Sequence, residues 1–95
     1  MPNDEKQIEE LFARASSNYA GAGKEVQNIF SMLIKETLVY RDELKNSGGK
    51  VLSVNEVEEA LNHLEGIIIH RHVPTIKNPN VVTLLDRFIK KLSKT

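Results

Sequence analysis

Turn-forming residues cluster at three places in this chain: Gly21 with Gly23, Ser47-Gly48-Gly49, and the stretch from Pro74 to Pro79. Four segments remain between them, and each carries apolar residues at helical spacing. The pattern predicts four helices, at about residues 4–17, 23–46, 53–71 and 78–93. The first opens on Asn3 as N-cap, with Asp4 and Glu5 at the positive end of the helix dipole, and shows the stripe Ile8, Leu11, Phe12, Ala15. The second, the longest, aligns Val26, Ile29, Phe30, Leu33, Thr37, Tyr40 and Leu44, with Met32 and Val39 on its far side. Gly48-Gly49 reads as its C-terminal stop.

The third segment has the clearest start. Ser53-Val54-Asn55-Glu56 is a capping box, and Leu52 with Val57 forms the matching hydrophobic staple. Its stripe is Val57, Ala60, Leu61, Leu64, Ile67 and Ile68, running to about Arg71, because Pro74 holds Val73 out of the helical region. The fourth starts with Asn78 as N-cap and Pro79 at the first helical position. Its stripe is Val81, Leu85, Phe88, Ile89 and Leu92, widened by Val82 and Leu84. Short connections favour antiparallel neighbours, so the expected fold is all-α, an antiparallel up-down-up-down four-helix bundle. At 95 residues it is one domain, 1–95.

Composition narrows the function. Thirteen Lys and Arg against thirteen Asp and Glu, with a pI near 6.8, argue against a globally basic nucleic-acid binder. The absence of cysteine excludes disulfides and thiolate zinc sites and suits a reducing cytosol. The acidic N-terminus lacks the apolar core of a secretory signal. No apolar run exceeds three residues, the length of Ile67-Ile68-Ile69, so no membrane span is expected.

Catalytic and metal chemistry find little footing. His63 and His70 share a helix edge with Glu59, but a bundle that binds two metals needs Glu-x-x-His on two helices plus two further inward carboxylates, and here the spacing is Glu-x-x-x-His in one copy. His72 points away from the other two if the helix continues. No serine sits in Gly-x-Ser-x-Gly, and the neighbouring carboxylates Glu9-Glu10, Asp42-Glu43 and Glu58-Glu59 diverge around their helices. Gly48-Gly49-Lys50 lacks the frame of a phosphate loop. A non-enzymatic protein with neither metal nor cofactor is expected. A helix-turn-helix reading fails on the six-residue connection before the fourth helix and on that helix's first turn, which has no arginine.

Charge is unevenly placed. Residues 1–65 hold seven basic and twelve acidic side chains, a net of −5, and residues 66–95 hold six basic and one acidic, a net of +5. Arg87, Lys90, Lys91 and Lys94 share one face of the fourth helix, away from its apolar stripe. With Arg71 and Lys77 in the same third of the chain, Arg71, Lys77, Arg87, Lys90 and Lys91 are the candidate contacts for an acidic partner or an anionic membrane surface.

The features that stand together are size, four cysteine-free helices, Lys6-Gln7-Ile8-Glu9-Glu10-Leu11, and Tyr40-Arg41-Asp42-Glu43-Leu44 before a glycine loop. With the capped helix carrying Leu61, Leu64 and Ile68 and the basic last helix, this set resembles the immunity proteins against pediocin-like (class IIa) bacteriocins, of the enterocin A immunity type, from lactic-acid bacteria and streptococci. The resemblance covers most of the chain. It implies a cytoplasmic antiparallel four-helix bundle, at most peripheral at the inner membrane face. Such a protein protects the producer by associating with the membrane components of the mannose phosphotransferase system, which the bacteriocin uses as receptor, and so blocks the pore. It also implies that the C-terminal half sets which bacteriocin is resisted. Many relatives extend beyond the fourth helix, whereas this sequence stops at Thr95, just past Leu92. The alternative is a small regulatory or phage-encoded adaptor using the Met32/Val39 side as its contact surface.

Overall fold

The computed structural model describes residues 4–73 and 75–94. Among them are four helices and no strand: α1 (Asp4–Asn18), α2 (Lys24–Asn46), α3 (Val54–Ile68) and α4 (Pro79–Ser93). The expected N-cap Asn3 and the restriction from Pro74 lie outside the described residues. α2, with 23 residues, is roughly 35 Å long at 1.5 Å per residue, so it spans most of the 38 Å long axis.

The local start signals act as the sequence implies. Ser53 Oγ accepts from the Glu56 amide (3.2 Å) while Glu56 Oε1 accepts from the Ser53 amide (2.8 Å). The staple residues Leu52 and Val57 are both buried. Asn78 Oδ1 accepts from the amides of Asn80 and Val81 at the head of α4, with Pro79 following the cap. The core draws on every helix: Ile8, Leu11, Phe12 and Ala15 from α1, Phe30, Leu33 and Tyr40 from α2, Val57, Ala60, Leu61 and Leu64 from α3, and Val81, Leu84 and Phe88 from α4. Tyr19 closes the α1–α2 turn by stacking on Phe30, with ring centroids 4.4 Å apart.

Helices α2 and α3 end in the same way. At α2 the Gly48 amide donates to Lys45 O (3.2 Å) and the Gly49 amide to Leu44 O (3.1 Å), with Gly48 at φ 80°. At α3 the His70 amide donates to Ile67 O (3.2 Å) and the Arg71 amide to Gly66 O (2.8 Å), with His70 at φ 56°. Both are Schellman turns, which require a left-handed residue just past the cap. Glycine fills that place in α2 without steric penalty, whereas α3 uses a histidine. The helix expected to reach Arg71 therefore stops at Ile68. The stop comes from this paired hydrogen bonding, three residues earlier than the sequence suggests.

The reversal sends the chain back along the outside of α3. Val73 lies over Gly66, where a Cβ would overlap Val73 Cγ2. Residues 71–73 and 75–76 share a concavity with Glu59, Asn62 and His63 of α3. Asn80 Nδ2 in the first turn of α4 then donates to Glu56 Oε2 in the first turn of α3 (3.1 Å). α3 and α4 thus begin at the same end of the molecule. At the far end, Leu92 of α4 shares a concavity with Glu25, Ile29 and Met32 of α2. The alternating up-down-up-down order is not kept at the last connection, because the chain after α3 returns before α4 starts. The packed pairs are α1–α2, α1–α3, α2–α4 and α3–α4, which leaves the consecutive helices α2 and α3 diagonal to one another.

Two apolar stripes are also narrower than expected. Val81, Leu84 and Phe88 are buried, with Leu85 and Leu92 half-buried, while Ile89 (55% exposed) and Val82 (39%) lie outside the seam. They sit about 100° around α4 from its buried line. Ile67, at the edge of the α3 stripe, is 54% exposed.

The two unusual positions of this turn give opposite expectations. His70→Gly relieves the left-handed strain and should raise stability by roughly 0.5–1 kcal/mol. Gly66→Ala should lower it by roughly 1–3 kcal/mol through overlap with Val73, although alanine is the better helix former. Urea midpoints of the two variants against the parent decide both signs.

Candidate functional site

The polar chemistry of the bundle is concentrated where α4 meets α2. Glu36 and Thr37 are the buried polar residues of α2. Thr37 satisfies its hydroxyl locally by donating to Leu33 O (2.7 Å). Glu36, with only 4% of its side chain exposed, is met by Arg87 of α4, whose Nε lies 2.7 Å from Glu36 Oε2. The same guanidinium forks onto Glu43 two turns further along the acidic edge of α2, with Nη1–Oε1 at 2.8 Å and Nη2–Oε2 at 2.6 Å. Its carbon lies 4.9 Å from the centroid of the Tyr40 ring. Arg87 thus uses three donors and one face at once, the geometry a planar guanidinium suits and an ammonium does not.

The electrostatics follow from those contacts. The hydrogen bonds from Glu43, outweighing burial and joined by Glu36, raise the Arg87 pKa further above its already high ordinary value. In return, Arg87 and the nearby Lys91 hold the Glu43 carboxyl below the usual range. Burial pushes the Glu56 carboxyl up, but hydrogen bonds from Ser53, Asn80 and Asn78 prevail and hold it low. Burial, aided by the neighbouring Glu65 carboxylate, raises the Tyr19 hydroxyl.

This changes the reading of the basic face. Arg87 is not an open cation on the far side of α4; it is half-buried in the α2–α4 seam with two carboxylate partners. Arg71, Lys77, Lys90 and Lys91 are exposed. They do not form one patch. Lys77 precedes α4, and Lys90 lies 13 residues further on, a rise of roughly 20 Å along the helix. Lys90 and Lys91, with exposed Lys94 and Ile89, gather at the C-terminal end of α4.

The histidines are rearranged as well. Because α3 stops at Ile68, His72 does not point away from His63; both line a concavity of about 420 Å³ with Arg71, Glu59, Asn62 and Thr75, walled by Val73 and Ile76. Nδ1 of His63 is buried without a hydrogen-bond partner. Among the described residues no three His, Asp or Glu side chains are grouped to hold a metal ion. Sequence reasoning placed Met32 and Val39 together on the far side of α2. Here Met32 is half-buried against the core, and Val39 (48% exposed) adjoins Leu38 (46%).

Sequence reading missed Glu36 and Gly66. The signal for Glu36 was its place between Leu33, Thr37 and Tyr40, inside the apolar arc of α2. Gly66 gave the ordinary signal of an isolated helical glycine, which marks a close approach of another backbone or side chain.

The fold and its polar seam define a small helical bundle in which Arg87 of α4 is locked onto α2. Compared with known protein families, with curated proteins and with solved structures, the chain has no match. No helix among the described residues is long and apolar enough to cross a membrane.

Removing Arg87 strands the Glu36 carboxylate in the seam. Arg87→Met should cost about 3 kcal/mol, the low end for breaking a buried pair, since Arg87 is itself partly exposed. The acid profile follows the same contacts. Glu43 and Glu56 are held below their unfolded value of about 4.3. Their contribution is therefore complete above that pH and is lost as pH falls through the folded values. Urea midpoints measured from pH 6 down to pH 3 should fall in the parent, and the Glu43 share of that fall should vanish in Arg87→Met.

Proposed function

We propose that this chain is a non-catalytic, cytoplasmic protein-contact module, an immunity protein that protects its cell against a class IIa bacteriocin. In this reading it associates with the membrane components of the mannose phosphotransferase system at their inner face, with or without bound bacteriocin. It needs neither metal nor cofactor. The support comes from the sequence resemblance over most of the chain and from the four-helix content; the direction of α4, which starts beside the start of α3, departs from the antiparallel bundle that the resemblance implies. The observation that carries it is the cluster of solvent-facing Lys90, Lys91 and Lys94 beside the exposed Ile89 at the end of α4. Cations over an exposed apolar residue suit a protein surface with acidic and apolar elements. Arg71 and Lys77 are the remaining candidate contacts, and Arg87 contributes by holding α4 in register.

A second reading rests on Leu38 and Val39, adjacent exposed apolar residues on α2. They suit a small regulatory or phage-encoded adaptor that meets its partner, or a second copy, through that helix.

Expression in a sensitive strain challenged with a panel of pediocin-like peptides should confer protection against at least one. The double variant Lys90→Glu/Lys91→Glu should reduce that protection at least about tenfold in minimal inhibitory concentration, an effect of about 1.4 kcal/mol on the contact. Its unfolding should stay cooperative with only a modest fall in midpoint, since both side chains are exposed but Lys91 attracts Glu43 and both sit in the last turn of α4. Sensitivity to the whole panel argues against the immunity role. A tight dimer in sedimentation, lost on Val39→Lys, transfers the case to the adaptor.

A further inference from the structure

The turn at His70 builds something besides a reversal. Non-glycine residues rarely hold positive φ, and such strain persists where the surrounding structure over-determines it. Here the strained turn carries Arg71 and His72 back to the side of α3 that bears Glu59, Asn62 and His63. Gly66 lets Val73 close down on the helix, and Val73 and Ile76 form an apolar wall. The resulting concavity of about 420 Å³ falls in the range of small-ligand sites, about 300–1,000 Å³.

Its chemistry is specific. Arg71 is exposed and makes no ion pair among the described residues, its charge acting on the Tyr19 hydroxyl; a guanidinium fork suits a planar carboxylate. Asn62 and Thr75 add neutral hydrogen-bonding groups. His63 brings a buried Nδ1 that lacks a partner, uncommon because buried polar atoms are nearly always bonded. The single acid, Glu59, repels a second negative charge and so favours a monoanion seated at the Arg71 end. We propose that this concavity binds a small organic monocarboxylate with a short branched apolar tail, the carboxylate on Arg71 and the tail against Val73 and Ile76. The site stands apart from the exposed lysines of α4 and does not rest on the immunity reading.

The test is a titration of the ¹⁵N-labelled chain at pH 7 with 4-methylpentanoate, followed by amide shifts, with 4-methyl-1-pentanol as the neutral probe. Saturable shifts are expected at Asn62, His63, Arg71, His72 and Thr75, with an apparent Kd near ~1 mM, suited to so small a ligand. The alcohol should bind at least about tenfold more weakly, and Arg71→Gln should weaken the acid by a similar factor. Glu59→Gln should tighten it about threefold by removing the repulsion. This second variant keeps the test decisive should Arg71→Gln disturb the turn. Shifts that do not saturate, that map elsewhere, that are matched by the alcohol, or that weaken in Glu59→Gln overturn the proposal.

Discussion

The left-handed residue at the end of α3 is the constraint on which most of this structure depends. Once His70 takes φ 56° and the Arg71 amide closes onto Gly66 O, the chain can only double back along the outside of α3. Everything after it inherits that direction. α4 starts beside the start of α3, tied there by Asn80 and Glu56, and so runs with Arg87 level with Glu36 and Glu43 of α2. Had α3 continued and α4 simply folded back from its end, the guanidinium would face a different stretch of α2. One backbone conformation thus selects the two carboxylate partners of Arg87.

The ion-pair seam has a different task from the apolar core. Burying a carboxylate such as Glu36 is costly, and pairing it recovers that cost without great surplus. The gain is in register. Apolar side chains tolerate sliding along a groove, but a guanidinium bonded to two carboxylates two helical turns apart, and lying against Tyr40, fits at one height and rotation only. The seam also neutralises part of the charge asymmetry between the acidic first two-thirds and the basic last third. The open positive charge that remains is smaller than the sequence count suggests, and it is split between the two ends of α4.

Much of the local structure was legible beforehand. The capping box at Ser53, the staple of Leu52 and Val57, the Asn78-Pro79 start and the Gly48 stop each satisfy backbone groups within a few residues, so neighbouring sequence carries the whole instruction. The failures share another character. Ile67 and Ile89 belong to helical apolar stripes yet lie exposed, because a stripe says which side of a helix faces inward but not how wide its neighbour is. Glu36 reads as a polar interruption until α4 supplies its counter-charge. The end of α3 was placed at Arg71 because Pro74 was the visible breaker, whereas a histidine carried the reversal and its side chain gives no such signal. Among the candidate contacts, Arg87 is engaged inside the bundle, and Arg71, Lys77, Lys90 and Lys91 are exposed.

The sequence by itself determined that the chain is all-helical, where three of the four helices begin, and which residues form the centre of the core. Those are consequences of hydrogen bonding and periodicity over one or two turns. Only the tertiary structure decided that α2 and α3 lie diagonally, that α4 starts beside the start of α3, that Arg87 is a lock and not a free contact, and that His63, Arg71 and His72 line one concavity. Each of these depends on groups distant in sequence meeting across a reversal, and a pattern read along one helix contains no information about what stands opposite it.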